Sequence, residues 1–377
     1  VGVGGGDRWE VIACWSYQET VLNLGFFMGP LECDHLVVGA GSTGLAVVDH
    51  LLRREAGSVL LIDSHETPQS RLGAPRAPLI PAEGDRWSRW SRRGQELYEG
   101  WDSWLEIDPG LRRSGVLIMG EQCTTDGEIL DSEKMKHRWS GLSDTDSWAT
   151  FLGHGATVDA MEVSSALMWR MRKGGGRFHG GAALHSLEEA SDGVHFSTSR
   201  RQGFASHVFL CVGAHSTKLL EGFGVRHGHR LETVSEFTLA WDGEVPPLIH
   251  WPKEKAVLFR SSKDEVEIIL QADLEDADQP GPLPDPTVCW ENLSEFRKKW
   301  CSWLPPLEDA AVKRARARHR VSFSEESSTL YASAGGRIVM PGSCGEHSEL
   351  LFPVMAEEAV EQVLAGSTGG LLEDLEG

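Results

Sequence analysis

Three glycines at G-x-G-x-x-G spacing, Gly39, Gly41 and Gly44, close a short apolar run in the stretch HLVVGAGSTGLAVVDHLLRREAGSVLLID (35–63). In such a turn the first glycine permits the tight bend, the second lets the backbone come up to a pyrophosphate, and the third lets helix and strand pack closely. Ser42 and Thr43 sit between the last two glycines, where a helix N-terminus would turn its partial positive charge toward phosphate. Asp63 ends the next apolar run, 24 residues after Gly39, where a carboxylate can accept hydrogen bonds from ribose hydroxyls. Many glycine-rich turns bind nothing. The position between strand and helix, answered by Asp63, favours dinucleotide binding over a plain strand-to-helix turn.

The elements that must hold these groups are legible around them. Residues 34–38 predict a buried strand. Residues 45–54 predict a helix with Leu45, Val48, Leu51 and Leu52 at helical spacing, and residues 59–62 a second apolar strand, together a parallel strand–helix–strand unit. Pro68, Pro75, Pro78 and Pro81 then break regular structure before an aromatic, basic stretch (86–106) with amphipathic helical spacing. Residues 114–119 read as a strand and 163–172 as a helix stopped by Gly174 to Gly176. SHVFLCVGAHSTKLL (206–220) repeats the pattern of strand, small-residue turn and helix, and GRIVMPGSCG (336–345) supplies a third such strand, with a final helix expected over 354–364. Between them, 231–271 alternates polar and apolar residues as antiparallel strands with one wetted face do. DADQPGPLPDPT (276–287) is a loop, and a tryptophan-rich helix follows.

At 377 residues the chain exceeds one compact core and predicts two domains. A formal charge of −20 argues against nucleic acid and anionic membranes and toward small ligands. Seven scattered cysteines without a C-x-x-C pair argue against zinc and against a disulfide framework. No run reaches the ~20 apolar residues of a membrane span. Residues 1–27 lack the features of a signal peptide and the carboxyl end lacks a peroxisomal tripeptide, so a cytoplasmic location is expected, with 1–30 an extension before the first convincing strand.

The order of these pieces resembles the FAD-dependent amine and amino-acid oxidases that include monomeric sarcosine oxidase and N-methyltryptophan oxidase. The pieces are the fingerprint with LLID, RRGQELYEGW (92–101), SGVLIMG (114–120), VGAHSTKLL (212–220) and PGSCGEH with its helix (341–364). The resemblance implies an α/β plus α+β chain. A Rossmann-type FAD-binding domain would be assembled from 31–85, 155–220 and 330–370. A substrate domain on a large mixed or antiparallel sheet would come from 86–154 and 221–329. It implies FAD rather than NAD, because turns at Gly213 and Gly342 return to the same cofactor, with the loop holding Gly342 and Gly345 over the isoalloxazine ring. By the same resemblance Leu184 offers backbone contacts to adenine, and Ser70 with Arg71 lies near the pyrophosphate or flavin. The implied reaction oxidises the C–N bond of an amine or N-methyl amino acid to an imine, with hydride passing to flavin and then to oxygen or another acceptor.

The catalytic half departs from that family. Its histidine pair is absent from SRLGAPRAPLIPAEG (70–84), where Arg76 could meet a substrate carboxylate or be an ordinary exposed arginine. His347 takes the place of the family's histidine near the carboxyl end, but the lysine position beside it falls on Glu349 or Leu350. The lysine that assists oxygen reduction is replaced by Glu267 or Ile268. No cysteine occurs in KRARARHRVSFSEESS (313–328), so FAD is expected to be held non-covalently. Lys313, Arg314, Arg316, Arg318 and Arg320 alternate as a strand would, a salt-bridged face from which one arginine could supply a missing cation, with His319 pointing the other way. Three readings follow: an active FAD-dependent amine or amino-acid oxidoreductase, a degenerate FAD-binding relative, and an NAD-linked dehydrogenase.

Overall fold

The computed structural model describes residues 29–68, 76–81, 85–101, 108, 110–120, 127–216, 230–273, 285–322, 330–333, 335–342 and 344–365, with the backbone of Arg8–Trp9. Ser70, Arg71 and the expected loop at 276–284 lie outside the described residues.

The fingerprint strand Leu31–Val38 lies inside a nine-stranded sheet. It pairs in parallel with Val59–Ile62 on one side and Gln202–Leu210 on the other, and Arg177–His179 and Ile338–Pro341 extend the parallel set. Val59–Ile62 is buried throughout, as a parallel strand covered on both faces must be. Antiparallel strands Leu184–Glu189 and Val194–Thr198 widen the sheet, and Arg8–Trp9 adds to its edge.

Helices Ser42–Arg53, Ala160–Lys173 and Ser348–Ala365 cover one face of this sheet, and helix Asp85–Glu99 packs on the last of them. The Asp159 carboxylate caps the helix Ala160–Lys173 by accepting from the amides of Met161 and Glu162, both at 3.0 Å. Asp49, 2% exposed, pairs with Arg53 at 2.8 Å and Arg170 at 3.4 Å, fastening the fingerprint helix to that neighbour.

Among the described residues a second sheet of eight strands is mixed, with seven strand pairs of which only Ile249–Leu117 and its neighbours run parallel. Its back face packs on the helix Trp290–Trp300, where Trp251 meets Phe296 edge-on at 5.1 Å and Trp303 at 6.0 Å. The front face carries a smaller apolar cluster that includes Ile80, Ile118, Val257 and Ile269. Its edge strand Val312–Ser322 approaches the turns Gly213–His215 and Gly345–His347, and thereby the nucleotide-type sheet. Among the described residues no helix is long and apolar enough to cross a membrane.

Candidate active site

Four parallel strands bring their carboxyl ends, Val38, Ile62, Leu210 and Pro341, to one edge of the nucleotide-type sheet, where open α/β sheets bind ligands. Backbone bonds lace the turns that follow: the Gly39 amide donates to Ile62 O at 2.8 Å, Cys211 to Val38 O at 2.8 Å, and Asp63 to His179 O at 3.2 Å.

The glycines divide by cause. Gly39 has φ +100°, and a Cβ there would stand 2.3 Å from Cys211 O; one at Gly44 would stand 1.9 Å from Gly39 O. Both are required by the protein's own packing. A Cβ on Gly41 would meet nothing within 4 Å. Its position lines an open cleft, so the need for a bare backbone there arises from what the cleft holds. The helix Ser42–Arg53 starts with no side-chain cap and no acid in its first turn, leaving its leading amides directed to an anion.

The Asp63 carboxylate accepts the Ala40 amide at 2.7 Å through Oδ2 and the His65 amide at 2.8 Å through Oδ1. A carboxylate has about four acceptor sites, so capacity for ribose hydroxyls remains. These features fit a dinucleotide.

The cleft, with about 860 Å³ of open space, runs from Gly41, Ser42 and Thr43 past Gly213 and Ser216 to Gly342 and the start of the helix Ser348–Ala365. Its far wall is the edge strand, through Arg318, His319, Arg320 and Val321. Thus the structure gathers Gly41, Ser42, Thr43, Gly213 and Gly342 around one space. Gly345 lies between two lining residues, Cys344 and Ser348. Leu184 opens its strand beside the apolar core of that sheet and does not line the cleft.

Arg76 goes elsewhere. It is 5% exposed, and its guanidinium donates to Gly110 O at 3.0 and 3.1 Å and to Thr157 Oγ1 at 3.3 Å. It ties together the small sheet of Ala77–Leu79, Arg112–Arg113 and Ala156–Val158, neither exposed nor at the cleft.

His347 lies in the turn Gly345–His347, beside the cleft-lining Ser348, with Nδ1 donating to Ile80 O at 3.0 Å. Burial is the main cause holding its imidazole below the ordinary range, against the opposing pull of Glu346. Of the two residues at the missing lysine's place, Ile268 belongs to the back core, while Glu267 is buried in front and accepts from Thr238 Oγ1 at 2.8 Å. Burial raises the Glu267 carboxyl above its usual value.

The arginine alternation is a salt-bridged ladder. Arg320, 8% exposed, donates to Glu232 at 3.1 Å, and Arg318 Nε donates to Glu236 at 2.7 Å, with Arg316 on the same carboxylate. Two donors on this wall, Arg320 Nε and Arg318 Nη2, are buried with no hydrogen-bond partner among the described residues.

Sequence reasoning did not single out His250, Gln271 or Glu346. Glu346 Oε2 lies 3.2 Å from His250 Nε2 and accepts from Gln271 Nε2 at 3.2 Å. These residues come from two strands and a turn far apart in sequence, and no local spacing announces them.

The family model for FAD dependent oxidoreductases matches residues 34–361. No curated protein matches the chain. Among solved structures, glycine oxidase from Geobacillus kaustophilus superposes with a TM-score of 0.77 at 14% identity, covering 91% of this chain and 98% of that one. L-proline dehydrogenase from P. horikoshii gives 0.77 at 14% identity over 92% and 96%. NikD, an unusual amino acid oxidase essential for nikkomycin biosynthesis, gives 0.75 at 18% identity over 91% and 97%. These likenesses show the fold. With the family model spanning both sheets, the chain belongs to the FAD-dependent oxidoreductase family, and FAD is its cofactor.

Proposed function

We propose that the chain oxidises the C–N bond of an amine or amino acid to an imine at the ring end of the cleft. The observation that carries this reading is the convergence of three strand ends, those at Val38, Leu210 and Pro341, and the edge strand Val312–Ser322 on one continuous space. A space with Gly41 at one end and Arg318 to Val321 at the other suits a cofactor with two ends, rather than a nicotinamide dinucleotide held by the fingerprint alone. FAD, when bound, supplies the two-electron acceptor.

The protein's own part is positional. Gly41, Ser42 and Thr43 receive the phosphates, and Asp63 receives a ribose. The front face of the large sheet, with Ile80, Ile118, Val257 and Ile269, excludes water from the reacting carbon. The changed anchors favour a substrate whose recognition does not depend on Arg76. Electrons leave to oxygen or another acceptor.

The test is anaerobic mixing of the FAD-loaded protein with a panel of primary amines, secondary amines and amino acids. Bleaching of the flavin absorbance by at least one member is expected. A spectrum unchanged across the panel contradicts the reading and favours the degenerate alternative, which the engagement of Arg76 by Gly110 and Thr157 would then explain.

A further inference from the structure

His250 is a buried imidazole with one nitrogen close to a carboxylate and a hydrogen bond on neither among the described residues. It stands on the strand Leu248–Trp251, in register with Ile118 and Val257, and so on the apolar front face of the large sheet. It is 4% exposed, and its Nδ1 is buried with no hydrogen-bond partner among the described residues, while Nε2, equally without a hydrogen bond, lies within ion-pair distance of a carboxylate. A buried polar atom left without a partner is costly, so its persistence calls for a use.

The other nitrogen explains what that use can be. Nε2 lies 3.2 Å from Glu346 Oε2, and Gln271 holds the same oxygen at 3.2 Å. Burial raises the Glu346 carboxyl, but His250, His347 and Arg320 together outweigh it and keep the group ionised. An ionised carboxylate beside Nε2 favours the hydrogen on that nitrogen and leaves the Nδ1 lone pair bare. Glu346 lies in the turn Gly345–His347, between Cys344 and Ser348, both of which line the cleft.

Among the described residues, few charged groups surround the contact of His250 with Glu346. The turn contributes Glu346 and His347, and the strand Val312–Ser322 contributes Arg320, itself paired with Glu232. Glu232 is also 3.6 Å from Lys255. Strands Val116–Met119 and Ala256–Ser262 present the uncharged Ile118 and Val257. His347 is the weaker rival because its Nδ1 donates to Ile80 O and its remaining nitrogen, Nε2, stands 3.7 Å from the Glu346 carboxylate.

We propose that His250 is the catalytic base that deprotonates the substrate ammonium, with Glu346 and Gln271 as positioning residues. This rests on the amine-oxidising reading of the cleft. An alkylamine with a pKa near that of lysine, about 10.4, arrives as ammonium at neutral pH and has no lone pair to support oxidation. In the proposed step one N–H bond of the ammonium breaks and an Nδ1–H bond forms. The electron pair stays on the amine nitrogen, and Glu346 balances the imidazolium. No electrons change oxidation level in this step.

The experiment has two readouts on the FAD-loaded protein, His250→Asn and Glu346→Gln, with flavin content and circular dichroism checking each variant. The first is calorimetric binding of tert-butylamine and 2-aminoisobutyrate, primary amines with no α-hydrogen to lose, in phosphate and in Tris. The wild type is expected to show the same heat in both buffers, since the proton stays on the protein, and His250→Asn to release about one proton or bind at least tenfold more weakly. The second is the pH profile of anaerobic flavin bleaching by a reactive amine. The acid limb should move upward to the amine's own pKa in His250→Asn, and by a smaller interval in Glu346→Gln, whose base is weaker only in its bias. Unchanged heats and an unchanged limb in both variants overturn the base assignment while bleaching itself upholds the function. If no amine binds or bleaches the flavin, the function falls first and the base with it.

Discussion

The Tyr98 hydroxyl donates to the main-chain carbonyl of Glu349 at 2.6 Å. That carbonyl stands four residues before Pro353, which has no N–H to give it inside the helix Ser348–Ala365. The helix Asp85–Glu99 thus supplies the bond that proline removes, at the point where Glu349 and Phe352 line the cleft. Tyr98→Phe is expected to cost about 1–3 kcal/mol by urea unfolding, the range for a buried acceptor left bare. A change within ±0.3 kcal/mol would show that the helix start does not depend on it.

The glycines should separate folding from binding. Gly41→Ala is expected to leave the thermal midpoint near wild type while weakening FAD at least tenfold by equilibrium dialysis, because its methyl enters only the cleft. Gly39→Ala must adopt φ +100° against Cys211 O and should cost about 3 kcal/mol whether or not FAD is present. Equal thermal losses in the two variants would contradict this division.

Acid should weaken the nucleotide-type sheet. His35 and His207 face each other in register on neighbouring strands, stacked at 5.5 Å, and burial is the leading cause depressing both. His50 is buried against Arg53 and Arg54 and lies well below the usual range, again chiefly through burial. The unfolded chain binds these protons near its ordinary pKa of about 6.5, whereas the folded chain binds them only at lower pH. The stability they confer is therefore complete above about 6.5 and is lost as pH falls from there through the depressed folded values. Thermal melts from pH 8 to 5 should fall steepest below that point, and His207→Phe should flatten the slope. A flat wild-type profile over that interval would refute the assignment.

FAD should be released in full by acid precipitation. The strand Val312–Ser322 has no cysteine, and of the cysteines lining the cleft, Cys211 is half-buried with desolvation pushing its thiol far above the ordinary range, while Cys344 donates to Met355 Sδ at 2.9 Å. Flavin kept in the precipitate would show a covalent link.

What the sequence conveyed was local. Gly39, Gly41, Gly44 and Asp63 declared the phosphate end because each works through spacing along the chain, and the arginine alternation declared a strand by its period of two. Residues 354–364 were expected as the final helix, whereas it begins at Ser348, since proline reads as a breaker until Tyr98 is known to satisfy Glu349. Arg76 could not be read as a fastener, because Gly110 and Thr157 reach it only through the small sheet. The pairing of His250 with Glu346 was invisible for the same reason: the large sheet and the turn after Pro341 must both form before the two meet.

The central claim is that distant segments hold one FAD. Amide hydrogen exchange of the FAD-free and FAD-loaded protein tests it most directly. Protection on loading is predicted simultaneously at Gly41 to Leu45, at Gly213 to Ser216, and at Gly342 with Cys344 to Glu349, the segments that converge on the cleft. Protection confined to the fingerprint turn, with the other two segments unchanged, would contradict the account.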